Sequence, residues 1–269
     1  MHHELCSQTL SCSLFHFLIS IPLWCVDAVL KDLDEYDGTA KSAKPLFMYI
    51  SFVNPHFPVL TPDEFNAEYG AQCDHIGNDD RKKYCLSVLY LDMAIGAITT
   101  KLQDVGLFEK SVIALSGDNG PQLLNLCGNP GRHVAAGSAY PYRGGKYTLF
   151  QGGVQTPAFI AGGAIESKFK GAATTHVFSA VDWVPTLLHF TSFYEDGNSL
   201  DTELVDGIDL YDEIFGSDSA DGHGEAVYMG KHRRSLVLSM EYENEQYINT
   251  AIIYKKHKLM VNNKLTFFR

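Results

Sequence analysis

No lysine- or arginine-rich stripe runs through the 269 residues, which carry 21 Lys and Arg against 32 Asp and Glu and a formal net charge of −11. Proteins that hold nucleic acid neutralise phosphates with clustered cations, so this balance argues against such a partner. Cys6, Cys12, Cys25, Cys73, Cys85 and Cys127 form no C-x-x-C pair, which removes the usual signature of a zinc cluster. Six cysteines are also too few to define a disulfide scaffold at this length. Cys73 and Cys85 could pair in an oxidising compartment, and buried free thiols explain them equally well. No N-x-S/T sequon, internal repeat or low-complexity tract occurs. A long uninterrupted apolar run is missing too. Residues 14–30 are broken by His16, Ser20, Pro22 and Asp27, too short and interrupted for a membrane span, so no membrane partner is expected. No Lys or Arg precedes that run, whereas a signal peptide has a basic flank. A signal-peptide core and a buried helix both stay open as readings.

What is present is ordinary globular material. Hydrophobic residues make up 45% and charged residues 20%, enough for one large α/β domain or one domain with a small appendage. Val26, Val29, Leu30 and Leu33 share one helical face. Residues 46–52 form a continuous apolar run, which predicts a strand buried on both faces. Pro55, Pro58 and Pro62 then force an extended loop. Asn78-Asp79-Asp80 offers a helix start. Tyr84, Val88, Leu91, Ile95, Ile98 and Leu102 follow at three- and four-residue spacing, and Gly106 supplies the stop. Residues 112–115 and 157–161 are further strand candidates, and residues 181–190 read as a short apolar helix.

The alternation of strand and helix predicts an α/β fold with a mostly parallel sheet flanked by helices. The strand ending near Phe52 and the strand ending near Leu115 should run parallel in one sheet. Residues 121–141 read as a long loop, usually functional or mobile at that length. After residue 215 the character changes to short strand candidates, 236–238, 248–254, 258–261 and 265–268, with Asn262-Asn263 available for a tight turn. The expected organisation is an atypical N-terminal segment (1–25), an α/β domain (26–215) and a partial C-terminal antiparallel subdomain (216–269).

Three stretches carry chemistry. Asp118-Asn119 follows a predicted strand, where open α/β sheets bind ligands. Its carboxylate and amide carbonyl are hard oxygen donors suited to Ca²⁺ or Mg²⁺, although Asp-Asn-Gly is also an ordinary turn. His56 sits in the His-Pro loop, placed to hydrogen-bond an anion or to act as a general acid; a solvated loop histidine is the plainer reading. Arg143-Gly144-Gly145-Lys146 and Gly152-Gly153-Val154 let backbone approach an anion and place a compact charge on it, or make a surface loop.

The order of these stretches resembles the sulfatase family of the alkaline-phosphatase-like superfamily, nearest its arylsulfatase branch and arylsulfatase B-like enzymes. The matching segments are KPLFMYISFVNPHFPV (44–59), SVIALSGDNGP (111–121), YRGGKYTLFQGGVQTPAFIAGG (142–163) and SAVDWVPTLLHF (179–190). DGIDL (206–210) and INTAIIYKKHKLMV (248–261) fit its tail.

The resemblance implies an alkaline-phosphatase-like fold and hydrolysis of sulfate esters. It makes Asp118 and Asn119 two ligands of a divalent cation, usually Ca²⁺. It gives His56 and Lys146 the catalytic and substrate-binding contacts to the sulfate and the leaving oxygen. It also implies a sulfated small molecule or glycan as partner, and the secretory pathway, lysosomal or extracellular, as location. The family attacks sulfur with a formylglycine made from Cys or Ser in C/S-x-P-x-R, a covalent mechanism with electrostatic support.

No C/S-x-P-x-R occurs among the 269 residues; Ser20-Ile21-Pro22-Leu23-Trp24 is a near miss, with Trp24 where Arg is needed. The family's paired N-terminal aspartates have no counterpart either, since Asp79-Asp80 belongs to a helix start. The expectation is therefore a truncated product, inactive alone. A non-catalytic relative that binds sulfated ligands or a partner chain, and a phosphoesterase of the same superfamily, are the alternatives.

Overall fold

In the computed structural model the described residues are 8–10, 21–36, 45–56, 59–123, 136–174, 176–191, 193–201, 205–216, 235–243, 246–254, 257–262 and 264–268. They belong to two units, residues 1–146 with 155–164, and residues 147–154 with 165–269.

The first unit is organised around two helices. Helix α1 (Ile21–Glu35) buries Val26, Val29 and Leu33 of the predicted stripe, with Cys25 beside them, while Leu30 is half-buried. The long helix α3 (Asp79–Asp104) lies against α1, and Lys101 pairs with Asp34 across them. Asn78 caps α3 by accepting the Arg81 N–H at 2.9 Å. Gly106, at φ 71°, releases the chain, with the Leu107 N–H closing back on Leu102 O at 2.8 Å. That is a glycine stop of the expected kind. A short helix α2 (Asp63–Tyr69) brings Phe65 onto α3, where Phe65, Cys73, Leu86 and Tyr90 form the core. The Phe65 and Tyr90 rings meet edge to face at 4.7 Å, a favoured aromatic arrangement.

The buried positions of α3 are Leu86, Ser87, Tyr90 and Ala94, not the row through Val88, which is exposed. The reason is the Cys73–Cys85 disulfide, which fixes the rotation of the first turns. The pairing left open by the sequence is thus made. By length and apolar content α3 alone among the described helices could cross a membrane; here it carries a disulfide and the unit's aromatic core.

The strands depart from expectation. Strand β1 (Gln8–Leu10) pairs in parallel with β2 (Met48–Ile50), whereas β3 (Ile113–Ser116) pairs antiparallel with β4 (Ala158–Ala161). Among the described residues no mostly parallel sheet forms, and β2 and β3 lie in separate two-stranded pairs. The chain leaves β3 and returns at the same end, where the Gly117 N–H donates to Pro157 O at 3.0 Å. A one-turn helix, α4 (Gln151–Val154), lies in the described part of this connection. The run at 46–52 also yields only three strand residues. Phe47 and Tyr49, on one face, are 63% and 62% exposed rather than buried on both faces.

In the second unit Pro185 sits in the first turn of helix α5 (Trp183–Leu188), where its missing N–H is harmless. Helix α6 (Tyr211–Phe215) follows the DGIDL segment. Asp182, fully buried, accepts the Ser179 N–H at 2.8 Å and the Ile208 N–H at 3.0 Å. Thr186, also buried, accepts the Leu210 N–H at 3.1 Å.

The C-terminal strands β5 (Ser235–Glu243), β6 (Gln246–Tyr254), β7 (His257–Asn262) and β8 (Lys264–Phe268) form the expected antiparallel sheet in sequential order. Asn262 pairs with Lys264 beside the predicted turn, of which Asn263 lies outside the described residues. The twenty-one-residue loop expected at 121–141 likewise falls partly outside them.

Register places Lys258 opposite Ile253 and Met260 opposite Ala251, so one lysine stands in the sheet's buried apolar row. Burial lowers its pKa to about 8, and its Nζ donates to Gln151 Oε1 at 3.3 Å. The folded pKa thus lies below the ordinary 10.5. Unfolding takes up a proton between those values, and stability from this group rises with pH across that window and is absent below it. Lys258→Met should flatten that rise and add on the order of 1 kcal/mol at neutral pH, allowing for residual solvent contact. Urea titrations of both proteins at pH 7 and pH 10 check this. Equal pH slopes would contradict it.

Candidate functional site

Three of the four expected site residues are built on one backbone junction. The β3 strand ends at Ser116 and delivers Asp118 and Asn119 to an exposed turn. The Asn119 N–H donates to Asp118 Oδ1 at 2.7 Å, and Asn119 Nδ2 donates to Gly120 O at 3.0 Å. These bonds tie both side chains to the turn's own backbone. Two residues on, Pro121 O accepts the Lys146 N–H at 2.8 Å. The lysine segment is therefore pinned beside the Asp118 turn.

Glycine makes this junction possible. A Cβ on Gly145 would lie 2.6 Å from Pro121 O and 2.8 Å from Leu123 Cγ, so only glycine lets the two backbones meet. Immediately after Lys146, Tyr147 holds φ 73°, a left-handed conformation that is strained for an aromatic residue. Such strain gathers at functional sites.

His56 is held by another set of bonds. Its N–H donates to Val53 O at 2.8 Å, closing the turn after β2. Asn54 Nδ2 donates to buried Ser87 Oγ at 2.8 Å, which moors the turn to α3. The structure thus joins Asp118, Asn119 and Lys146 through neighbouring backbone, and fixes His56 through α3.

Among the described residues no group of three or more His, Cys, Asp or Glu side chains gathers to hold a metal. Asp118 and Asn119 have the right chemistry for Ca²⁺ but supply only part of its shell of about 6–8 oxygens. Asp79 and Asp80 occupy the first turn of α3 behind the Asn78 cap, as expected.

One titratable pair was not anticipated. His189 Nδ1 lies 2.8 Å from Asp209 Oδ2, and the His189 ring stacks on Tyr211 at 3.9 Å. The Asp182 clamp was legible as Ser179-x-x-Asp182, a helix-start spacing of the capping-box type.

The fold is that of known sulfatases. A crystal structure of Ps i-CgsB in complex with k-i-k-neocarrahexaose superposes with a TM-score of 0.65 at 22% identity, covering 92% of this chain and 48% of that one. Residues 25–193 match the sulfatase family, to which the chain belongs. Mouse arylsulfatase J is 31% identical over 178 residues, 66% of this chain and 26% of its own length. Bovine arylsulfatase A is 27% identical over 181 residues, 67% of this chain and 31% of its own. The chain therefore spans about a quarter to a third of these curated relatives.

Proposed function

We propose that this chain carries one part of a sulfate-ester hydrolase site, in which Lys146 and His56 hold the ester while Asp118 and Asn119 contribute to a divalent-cation shell. The observation that carries the reading is the Lys146 N–H bond to Pro121 O, two residues from Asn119, in a chain of the sulfatase family. Lys146 would place its ammonium on the sulfuryl oxygens, where negative charge grows as the ester breaks. His56 would face the leaving oxygen and give it a proton. A bound Ca²⁺ would supply further positive charge at those oxygens. The attacking nucleophile has no counterpart in C/S-x-P-x-R form among the 269 residues, so the chain by itself would bind the ester without turning it over.

Sulfated glycans and small sulfate esters are the substrate class, in keeping with the relatives' names and with the carrageenan oligosaccharide bound in one structural neighbour. The Cys73–Cys85 disulfide favours an oxidising compartment such as the secretory pathway.

Convergence of the residues tests the reading. Mn²⁺, a paramagnetic substitute for Ca²⁺, should broaden the backbone amide signals of residues 117–120, of 144–146 and of His56 together, at metal concentrations well above those of a closed shell. Asp118→Ala should abolish all three effects. Broadening confined to 117–120 would separate the residues and remove the site.

A further inference from the structure

Strand β2 pairs in parallel with β1 along one edge, and among the described residues no strand meets its other edge. Parallel sheets are ordinarily covered on both faces. The two faces of β2 differ. Met48 and Ile50 are half-buried, whereas Phe47 and Tyr49, two residues apart and so on one face, stand exposed, with Leu46 exposed beside them. Single apolar residues scattered over a surface need no explanation. Here three large ones fall within four residues, on a strand whose free edge offers backbone groups to a further strand.

The chemistry of that patch narrows its occupant. A lipid or a small apolar ligand would cover the rings but make no strand bonds. A polypeptide added to a sheet edge does both, with main-chain bonds along the edge and alternate side chains on the face. A second copy of this chain would set a formal charge of −11 against another of −11, which opposes association. The fold itself points to the remaining candidate. The solved sulfatase Ps i-CgsB superposes on 92% of this chain but on only 48% of its own, so about as much polypeptide again completes that chain. The two features the family carries ahead of these segments, C/S-x-P-x-R and the paired aspartates, have no counterpart among the 269 residues.

We propose that the free edge of β2 and its Phe47–Tyr49 face dock a second polypeptide, the amino-terminal portion of a sulfatase domain, which adds a strand to β2 and seats apolar side chains on Phe47 and Tyr49. Strand β2 runs directly into the turn that the His56 N–H closes on Val53 O, so the docked portion enters next to one of the candidate site residues. The inference rests on membership of the family and on the exposed strand, not on the sulfate contact of Lys146, and the two fail separately.

The test co-expresses the whole 269-residue chain with a tagged amino-terminal portion of mouse arylsulfatase J that ends where its match to this chain begins. The two should co-purify, and oxidative footprinting should show Phe47 and Tyr49 losing the labelling they have in the chain alone. Amide exchange at residues 48–50 should slow by about 10-fold, on the order of the protection one backbone hydrogen bond gives. Phe47→Glu with Tyr49→Lys should abolish co-purification while circular dichroism of the chain stays unchanged, since both side chains are exposed in it. Val184→Lys, at an exposed valine of the other unit, should leave co-purification intact. Failure to co-purify overturns the proposal, as does co-purification that the double variant keeps or that Val184→Lys also removes. A dimer of the chain alone that the double variant dissociates in sedimentation gives this face to a second copy and overturns it too. Binding of sulfate esters through Lys146 is measured apart from all of these outcomes.

Discussion

Asp182→Ala should cost about 3–5 kcal/mol of stability, the sum of two charge-assisted hydrogen bonds to a buried carboxylate. Asp182 is 0% exposed and accepts the N–H groups of Ser179 and Ile208 at 2.8 and 3.0 Å. Alanine leaves both part-buried donors without that acceptor. The DGIDL segment depends on the clamp, because Gly207 packs so tightly that a Cβ there would lie 1.9 Å from Val181 O. A whole domain is stable by roughly 5–15 kcal/mol, so the loss is a large share of the total. Asp182→Asn keeps one acceptor oxygen and the shape, and should lose roughly half as much. Urea denaturation followed by circular dichroism measures both. A loss below about 1 kcal/mol for the alanine variant would place the hold on the DGIDL segment elsewhere.

Local signals in the sequence were reliable where the physics is local. The Asn78 cap, the Gly106 stop, the α1 stripe and the sequential antiparallel strands of the C-terminal sheet all follow from propensity, capping and period. Long-range closure was not legible. The rotation of α3 is set by a disulfide whose formation the spacing of Cys73 and Cys85 left open. The antiparallel return from β3 to β4 pairs residues about forty apart in sequence, with Gly117 bonded to Pro157 at its end. A continuous apolar run at 46–52 predicted burial on both faces, yet burial depends on what else covers the strand, and Phe47 and Tyr49 stand exposed.

At the candidate site, Asp118, Asn119, His56 and Lys146 are proposed from motif order. Their mooring was not legible there. Nothing in the sequence marks Pro121 as the residue where Gly137 and Gly145 both close, and that convergence turns a glycine-rich stretch into a braced loop.

Turnover of sulfate esters by the purified 269-residue chain is the most direct measure of whether the ester is held without a nucleophile to attack it. Enzymes accelerate such reactions by at least about 10⁶-fold, and most of that depends here on a covalent step for which the chain has no C/S-x-P-x-R residue. With 4-nitrophenyl sulfate and 4-nitrophenyl phosphate in the presence of Ca²⁺, the predicted result is no release of nitrophenol above the buffer rate from either ester. The sulfate ester should nevertheless bind, and Lys146→Ala should abolish that binding. Release of nitrophenol from the sulfate ester at an enzymatic rate, lost in Lys146→Ala, would contradict the account, because a nucleophile would then have to exist among these residues.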